Sequence, residues 1–547
     1  MSAGYRVPAD ARPAASLLLL RDGAAGLEVL MLRRAERDGD LRSGACVFPG
    51  GVLDARDRAA HGCCVGGDDA ALSRRFGMAE GALDYAVAAV RESFEEVGLL
   101  MADRPFDAAL AAPWRTKLQN GEAGAAEMCE SLGLKLDLRG LAYYSHWLTP
   151  PGVPKRFDTR FFAMRAPAGQ NAVADYGEAL ELMWLTPQAA LAPERGLKLL
   201  PVTRRTLQEL ARFGSADAAL EEAHARRDIR ITMPRVAASR QGARVVVLPD
   251  EWPYAEVGRL DPEGRGDVCN ELVAGRAVRL SPRIVRVTAP NPGMMTGPGT
   301  NSYFVGTGDD WAVIDPGPVD DAHLQALLAA APGRITRILV THTHVDHSPG
   351  AAALALATGA PVFGRVATFS QGQDASFAPQ RELRDGERFE LGAGCTLRVI
   401  HTPGHASNHL CYLLEEEKLL FTGDHVMQGS TVVINPPDGD MVAYLKALNA
   451  LLDEALDWLA PGHGFLVAQP HTLLRGLIQH RLKREGRVVD ALRRQAAAEL
   501  DALLPEVYAD VPKALHAVAR RSLLAHLLKL QADGVASLEG ERWRYVA

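Results

Sequence analysis

The sequence predicts a multi-domain α/β protein, and three observations carry that expectation. The chain has 547 residues, more than one core usually organises, so two to four domains are expected. Apolar runs that end on Gly, Pro, His or Asp alternate with helical stretches in two separate parts of the chain, the pattern of sheets layered with helices. Between those parts, residues 214–280 shift to Gly, Pro and charge, as at Leu260-Asp261-Pro262-Glu263-Gly264-Arg265-Gly266, which marks a boundary. The expected segments are a first domain over 12–255, a connection over 256–279, a second domain over 280–470 and a tail over 471–547.

Composition narrows the classes. Apolar residues make up 47% and charged residues 23%, ordinary for a globular chain. A net charge of −7 excludes a protein that coats nucleic acid along its whole surface, though not a local basic site. The seven Cys show no C-x-x-C pair and no regular spacing, as free thiols in a reducing compartment do. Leu17 to Leu20 is too short for a signal core and runs into Arg21-Asp22-Gly23. No stretch approaches the roughly 18 apolar residues of a membrane span. A cytoplasmic location without membrane attachment is expected.

In the first domain, Ala15–Leu20 and Leu27–Leu32 read as strands about a turn at Asp22-Gly23. Val47-Phe48-Pro49-Gly50-Gly51-Val52 follows, and its paired glycines permit a sharp turn or close backbone approach. A helix is expected over Asp84–Val97, with Asp84 as N-cap and Gly98 as C-cap. Val87, Val90, Phe94 and Val97 share one face; Glu92, Glu95 and Glu96 fall together on the opposite one. Like charges at this spacing repel unless something neutralises them. Solvent and Arg91 would suffice, but clustered carboxylates also suit Mg²⁺ or Mn²⁺ beside a substrate phosphate.

The wording Arg91-Glu92-Ser93-Phe94-Glu95-Glu96-Val97-Gly98-Leu99 after Gly50-Gly51 resembles the box of the Nudix hydrolases. With Tyr143–Pro150 and Arg156–Phe162 it resembles their acyl-CoA diphosphatase branch. The resemblance implies an α/β/α fold, divalent metal on Glu92, Glu95 and Glu96, and water activated for attack on a diphosphate. A further Glu from outside the box often joins; Glu178 and Glu181 are the candidates. Two departures stand out. Gly51 and Arg91 are forty positions apart, where the family's box has about fourteen residues between them. Leu83 stands where spacing from Arg91 would put an early Glu. A disturbed box would make this domain a non-catalytic, ligand-sensing module.

In the second domain, strands are expected at Ile284–Val287, Ser302–Val305 and Trp311–Ile314, then a helix over Asp321–Ala330 and a strand over Ile335–Val340. That last strand delivers Thr341-His342-Thr343-His344-Val345-Asp346-His347, four potential ligands within six residues. His342 and His344 alternate, so an extended backbone aims both at one ion; Asp346 and His347 follow too soon to share it and suit a second. Three more strand ends deliver His or Asp beside Gly or Pro: His401-Thr402-Pro403-Gly404-His405, Thr422-Gly423-Asp424-His425 and Pro461-Gly462-His463. Ligands at the ends of strands are what α/β folds favour. Imidazole with carboxylate suits zinc, with iron or manganese also fitting.

This set resembles the metallo-β-lactamase superfamily. The resemblance implies an αβ/βα sandwich and two Zn²⁺, one on His342, His344 and His405, the other on Asp346, His347 and His463, with Asp424 bridging. Two such ions lower the pKa of a shared water and polarise the scissile group. Asp315 is expected to orient a ligating His; His409 and His425 are candidates for substrate contact or for packing behind the ligands. Antibiotic-cleaving members are usually exported, whereas a chain without an export signal is expected here. Thirty-eight residues separate Asp424 from His463, too few for the large inserted domain of some RNA-processing members. Glyoxalase II shares the ligand set.

The tail reads as a long helical stretch over 471–500, a helix over Val511–Arg520, another over Ser522–Leu530, and a strand-like piece around Trp543. It resembles the winged helix attached to lactamase-β-like members, some of which cut single-stranded RNA. From residue 471 onward there are 13 Lys and Arg against 9 Asp and Glu, a bias consistent with phosphate contacts. The expectation is a metal-dependent hydrolase. Its metal centre cleaves a phosphodiester, with single-stranded RNA as the candidate, and its first domain cleaves a diphosphate such as that of acyl-CoA. The alternative is thioester or ester hydrolysis at the metal centre. Oligomeric state is not readable from the sequence.

Overall fold

A computed structural model describes residues 6–35, 43–174 and 179–546. The chain forms two compact units. One comprises Met1–Val236, Val245–Pro249 and Glu263–Gly266; the other comprises Ala237–Arg244, Asp250–Pro262 and Asp267–Ala547. Among the described residues no helix is long and apolar enough to cross a membrane.

The first unit is built on a mixed sheet in the order Ile231–Thr232, Ala142–Leu148, Arg156–Arg165, Ala11–Gly23, Gly26–Arg34 and Cys46–Val47. Gly50–Val52 also pairs with Ala11–Gly23, and Ala179–Leu185 with Gly26–Arg34. Ala11–Gly23 turns back at Gly23 opposite Gly26 and runs parallel to Arg156–Arg165. Its side chains alternate between two cores. Leu17 and Leu19 pack with the helix Ala82–Val97; Leu18 and Leu20 pack with the helices Pro201–Leu210 and Ala216–Ala225. Burial on both faces explains why the run Leu17–Leu20 is apolar without interruption.

Helix Ala82–Val97 ends at Gly98, which takes a left-handed φ of 71° and donates its N–H to Phe94 O. Its start corrects the expectation. Gly81, not Asp84, is the N-cap, and Asp84 lies in the first turn with Oδ1 2.8 Å from His61 Nε2. Gly81 has no side chain to cap with, so the first free N–H groups are met from elsewhere: those of Gly81 and Leu83 donate to the Asp69 carboxylate. The long spacing between Gly51 and Arg91 is filled by a 3₁₀ segment, Ala55–Cys63, and a helix, Asp69–Phe76.

The second unit is an αβ/βα sandwich. One sheet has seven strands between Ala277–Ser281 and Arg381–Glu382; the other has six between Arg388–Glu390 and Val467–Ala468. The strands Ile284–Thr288, Asn301–Thr307 and Asp310–Ile314 alternate sharply. Ile284, Tyr303, Val305, Ala312 and Ile314 face the central core, with Leu397, Val399, Tyr412 and Phe421 from the other sheet. Val285, Val287, Phe304 and Val313 face outward onto the helices Asp321–Ala330 and Gly350–Thr358. Helices Met441–Leu451 and Pro470–Gln495 cover the second sheet through Tyr444, Leu448, Leu474 and Leu477. Across the expected boundary at 255 runs the helix Tyr254–Leu260, which belongs to the second unit. Its buried Glu256 accepts two hydrogen bonds from Arg286, at 2.7 and 2.8 Å, and one from the Leu466 N–H at 2.8 Å.

The tail is a small winged-helix domain. A three-stranded sheet in the order Ala497–Glu499, Arg542–Tyr545, Ala536–Glu539 packs with Leu500–Val507 and His516–Ala532 around Trp543 and Leu527. One continuous helix, His516–Ala532, replaces the two expected over Val511–Arg520 and Ser522–Leu530. Arg520-Arg521-Ser522 contains neither Pro nor Gly, so nothing ends the helix there; Pro512 instead delays its start behind the 3₁₀ turn Lys513–Leu515.

Candidate functional site

Every ligand candidate of the second unit stands at or just beyond a strand end. Ile335–Leu339 leads to His342, Thr396–His401 to His405, Leu419–Gly423 to Asp424, and Trp458–Pro461 to His463. The neighbouring glycines are steric requirements. A Cβ on Gly462 would lie 2.8 Å from His347 Cε1 and 2.9 Å from Asp424 Oδ1, and one on Gly423 2.6 Å from Thr341 Oγ1.

Two groups of donor atoms result, each within 4.8 Å: His342, His344 and His405 in one, Asp346, His347, Asp424 and His463 in the other. In the first, His344 Nδ1 stands 2.9 Å from His342 Nε2 and 3.0 Å from His405 Nε2. Burial, with the neighbouring imidazoles, holds His342 well below its ordinary pKa and His344 at about 3. The rings are therefore neutral, with lone pairs free to bind a cation. In the second, His463 Nε2 is 3.3 Å from both Asp346 Oδ2 and Asp424 Oδ1, and His347 Nε2 is 3.4 Å from Asp424 Oδ1. Asp424 Oδ2 reaches to 3.8 Å from His405 Nε2, so this one carboxylate touches both groups. Burial opposes charge on His347, but Asp346, Asp424 and Asp315 hold its pKa well above the usual value.

The outer atoms of these side chains are fixed. His405 Nδ1 donates to Val433 O at 2.8 Å and His463 Nδ1 to Gly299 O at 3.2 Å. A carbonyl only accepts, so each ring turns its Nε2 lone pair inward. His347 Nδ1 is 2.9 Å from Asp315 Oδ2, and Asp315 also accepts the Thr341 N–H and hydroxyl, both at 2.7 Å. Asp315 holds this position at a left-handed φ of 50°, a strained backbone for a non-glycine residue. By contrast, the buried inner atoms His347 Nε2, His463 Nε2 and Asp424 Oδ1 have no hydrogen-bond partner. Buried polar atoms are rarely orphaned, and a pair of divalent cations is what would satisfy these. The donor set fits the group.

His409 and His425 lie behind the ligands. The His409 ring is 5.0 Å from that of His342, with Nδ1 2.9 Å from Thr402 Oγ1; the His425 ring packs between His409 and Tyr444. Sequence reasoning missed Gln373 and Asp438. Thr343 donates to Gln373 Oε1 at 2.6 Å, Gln373 donates to Asp438 Oδ2 at 2.9 Å, and Ser407 donates to Asp438 Oδ1 at 2.5 Å. This chain of bonds joins the loops of His344 and His405. It left no signal, because a lone amide and a lone carboxylate in separate loops look like ordinary surface. Asn301 was also passed over; its amide donates to Pro461 O and Gly464 O, at 3.1 and 2.8 Å, and so clamps the His463 loop.

In the first unit, Glu92 and Glu95 line a cleft of about 300 Å³ with Asp54, Asp57 and Arg91. Arg91 Nη1 donates to both glutamates, at 2.8 and 3.0 Å. Glu96 turns aside and accepts the Gly50 N–H at 2.8 Å. The three do not form a convergent group of the kind seen in the second unit. A Cβ on Gly50 would lie 2.4 Å from Ala15 O and one on Gly51 2.5 Å from Glu92 Cδ, which is why a glycine pair stands here. Glu181 lies in an exposed ion pair with Arg33, and Glu178 is outside the described residues. Asp57 was missed. It is buried and takes Arg91 Nε and Nη2 at 2.7 and 3.2 Å. Counting back from Arg91 reaches Leu83; counting forward six positions from Gly51 reaches Asp57.

Residues 295–463 match the family model of the metallo-beta-lactamase superfamily. An atrochrysone carboxyl ACP thioesterase of Aspergillus chevalieri is 33% identical over 273 residues, covering 48% of this chain and 85% of the relative. The chain belongs to the metallo-β-lactamase superfamily. A beta-lactamase-like protein 2 homolog of Drosophila melanogaster is 30% identical over 47% of this superfamily member and 90% of the relative. Residues 78–199 match the NUDT19 Nudix domain, and residues 500–543 the beta-lactamase associated winged helix domain. Among solved structures, a metallo-beta-lactamase family protein from Thermus thermophilus has a TM-score of 0.42 at 23% identity, over 49% of this chain and all of that one. A NUDIX hydrolase from Alicyclobacillus acidocaldarius has a TM-score of 0.33 at 28% identity, over 39% of this chain and 96% of that one. This metallo-β-lactamase superfamily member is thus a metal-dependent hydrolase with an N-terminal Nudix domain and a C-terminal winged helix.

Proposed function

We propose that the metal centre hydrolyses an acyl thioester carried on pantetheine, and that the Nudix domain hydrolyses the diphosphate of the same class of molecule, acyl-CoA. One observation carries the choice of thioester over the phosphodiester first expected. The segments that bear or flank the ligands, 289–300, 315–319, 341–350, 366–373, 401–409, 422–437 and 461–469, contain no Lys and no Arg, and Arg365 is the one basic residue that adjoins them. A polyanionic backbone is bound through Lys and Arg; a thioester carbonyl needs none. Part of the basic charge of the tail is already paired: Arg484 and Arg487 with Asp510, Arg494 with Glu506, Arg520 with Asp501 and Lys529 with Glu485. The thioesterase named among the relatives agrees with this reading.

Seven side chains, five imidazoles and two carboxylates, would hold two divalent ions, for which Zn²⁺ is the natural candidate. When bound, such ions supply Lewis acidity, acidifying a water and polarising the scissile carbonyl. The protein's own groups do the rest. Asp315, Val433 O and Gly299 O keep the imidazoles aimed. Asp346, half-buried where its partners are buried, is the carboxylate placed to take the proton of the attacking water. That proton then passes to the departing sulfur as the C–S bond breaks, giving a carboxylic acid and a free thiol. In the Nudix cleft, Glu92 and Glu95 would hold Mg²⁺ or Mn²⁺, Glu96 fixes the Gly50 turn, and Arg91 aligns the two facing carboxylates.

The test is mass analysis of products from an acyl-CoA, with Zn²⁺ and Mg²⁺ supplied. Free CoA that disappears in His405→Ala supports the thioesterase. Adenosine 3′,5′-bisphosphate with acyl-phosphopantetheine, lost in Glu92→Gln, supports the Nudix activity. Intact acyl-CoA alongside cleavage of single-stranded RNA, steeply weakened by salt, would overturn both assignments.

A further inference from the structure

Several large apolar side chains exposed on the sandwich of the second unit stand on loops tied to the metal ligands, while Leu356 and Val442 are exposed on helices. Met294 is 78% exposed and Met295 also lies open, on a turn closed by Gly293 and Gly297. The same loop ends at Gly299, whose carbonyl holds His463 Nδ1, and at Thr300, which bridges to His463. Val345, 61% exposed, sits between the ligands His344 and Asp346. Phe369 and Val366 are exposed on a loop whose Thr368 N–H donates to Ser407 Oγ at 2.9 Å, two residues from His405. Trp252 is 59% exposed. Its ring lies so close over Gly429 that a Cβ there would be 2.7 Å from Trp252 Cζ2. Its carbonyl accepts the Gln428 amide, which in turn accepts the Phe465 N–H beside His463.

Exposed apolar side chains on loops that carry a site are suited to an apolar ligand, and Met with aromatic side chains adapts to varied apolar shapes. A polar or anionic occupant would leave these groups without partners. Arg365, beside Val366, is the one basic residue on these loops, so an anion gains little there. We propose that Met294, Met295, Val345, Val366, Phe369 and Trp252 form an apolar rim that binds the acyl group of the thioester. The substrate is then a long aliphatic or an aromatic acyl thioester, not an acetyl-sized one. The inference rests on the thioesterase reading of the same centre.

The experiment uses acetyl-, octanoyl- and dodecanoyl-pantetheine, which lack the diphosphate that the Nudix domain would cut. The readout is the ratio of kcat/KM for dodecanoyl to that for acetyl in the zinc-loaded full chain. Burial of successive methylenes should raise this ratio to about tenfold or more. In a Met294→Ser, Met295→Ser, Phe369→Ser variant the ratio should fall toward one. Leu356→Ser, which removes a 90% exposed apolar residue from the helix Gly350–Thr358, should leave the ratio as it was. Turnover of every chain length at one rate in the wild type overturns the rim, with no variant needed. So does a length preference that the triple variant retains, or a wild-type dimer by light scattering that the triple variant breaks without changing the ratio; the rim would then be an interface between copies. No turnover of any thioester, by contrast, sinks the thioesterase reading itself.

Discussion

The two candidate sites solve the problem of buried charge in opposite ways. In the metal centre, the outer nitrogens of His405, His463 and His347 are bonded to Val433 O, Gly299 O and Asp315, while the inner atoms of His347, His463 and Asp424 make no hydrogen bond and face one another, at 3.3–3.4 Å. In the Nudix cleft the carboxylates already have a cation. Arg91 contacts Asp57, Glu92 and Glu95 at once, and Glu96 is occupied by the Gly50 N–H. The first site is held open for ions by its surroundings. The second is closed on an internal guanidinium, and an arriving ion must share Glu92 and Glu95 with it. Loss of metal should therefore disturb the first site far more than the second.

The largest effect should come from Asp424→Ala, because this carboxylate touches both donor groups. Thioester turnover should drop to background, and metal content, read by elemental analysis, should fall by more than one ion per chain. Retention of two ions would break the bridging role. In the Nudix domain the largest cost should follow Asp57→Ala. Removing one partner of a buried charge pair costs about 3–5 kcal/mol, read as a lower midpoint for the first unit in denaturant. Arg91→Leu combined with Asp57→Ala should recover part of that loss. If the single substitution costs under about 1 kcal/mol, Glu92 and Glu95 alone neutralise Arg91.

Much of this contrast was legible in the sequence, and the remainder was hidden for physical reasons. The strand ends bearing His342, His405, Asp424 and His463 announced themselves because donor residues stand beside Gly and Pro, and the glycines are there for lack of room. Val433 O and Gly299 O left no trace, since a backbone carbonyl has no identity in a sequence. Asp57 was hidden by an insertion that broke the spacing on one side and kept it on the other. The helix starting at Ala82 is capped by Asp69 across a turn, a contact that the local sequence around Asp84 does not carry. The alternation of Leu17 to Leu20 between two cores could not be read, because both partners are apolar.

A smaller effect separates orientation from ligation. Asp315→Asn keeps the size of the side chain but loses the charge that favours the Nδ1–H tautomer of His347. Metal affinity should fall about 10–100-fold, measured by competition with a chelator, and the folding midpoint of the metal-free protein should move much less. Unchanged affinity would show that His347 is aimed by packing alone, against His342 at a ring distance of 4.3 Å.

The smallest effect tests the closed character of the Nudix cleft through pH. Burial, against the pull of Arg91 and with the push of Glu95, raises the Glu92 pKa to about 7 from a usual value of 4.5. In the unfolded chain the carboxyl loses its proton near the usual value; in the folded chain it keeps it until about 7. Between these values the folded state binds more proton, so stability falls as pH rises and recovers as pH falls. Over the one unit from pH 7 to pH 6, in chelator and without divalent metal, the first unit should gain about 1 kcal/mol. Histidines titrate in the same window, so the comparison is with Glu92→Gln, which should lack this part of the gain. Added Mg²⁺ should abolish the difference by favouring the ionised carboxylate. If wild type and Glu92→Gln follow one curve, Arg91 neutralises Glu92 fully and the cleft is closed to ions as it stands.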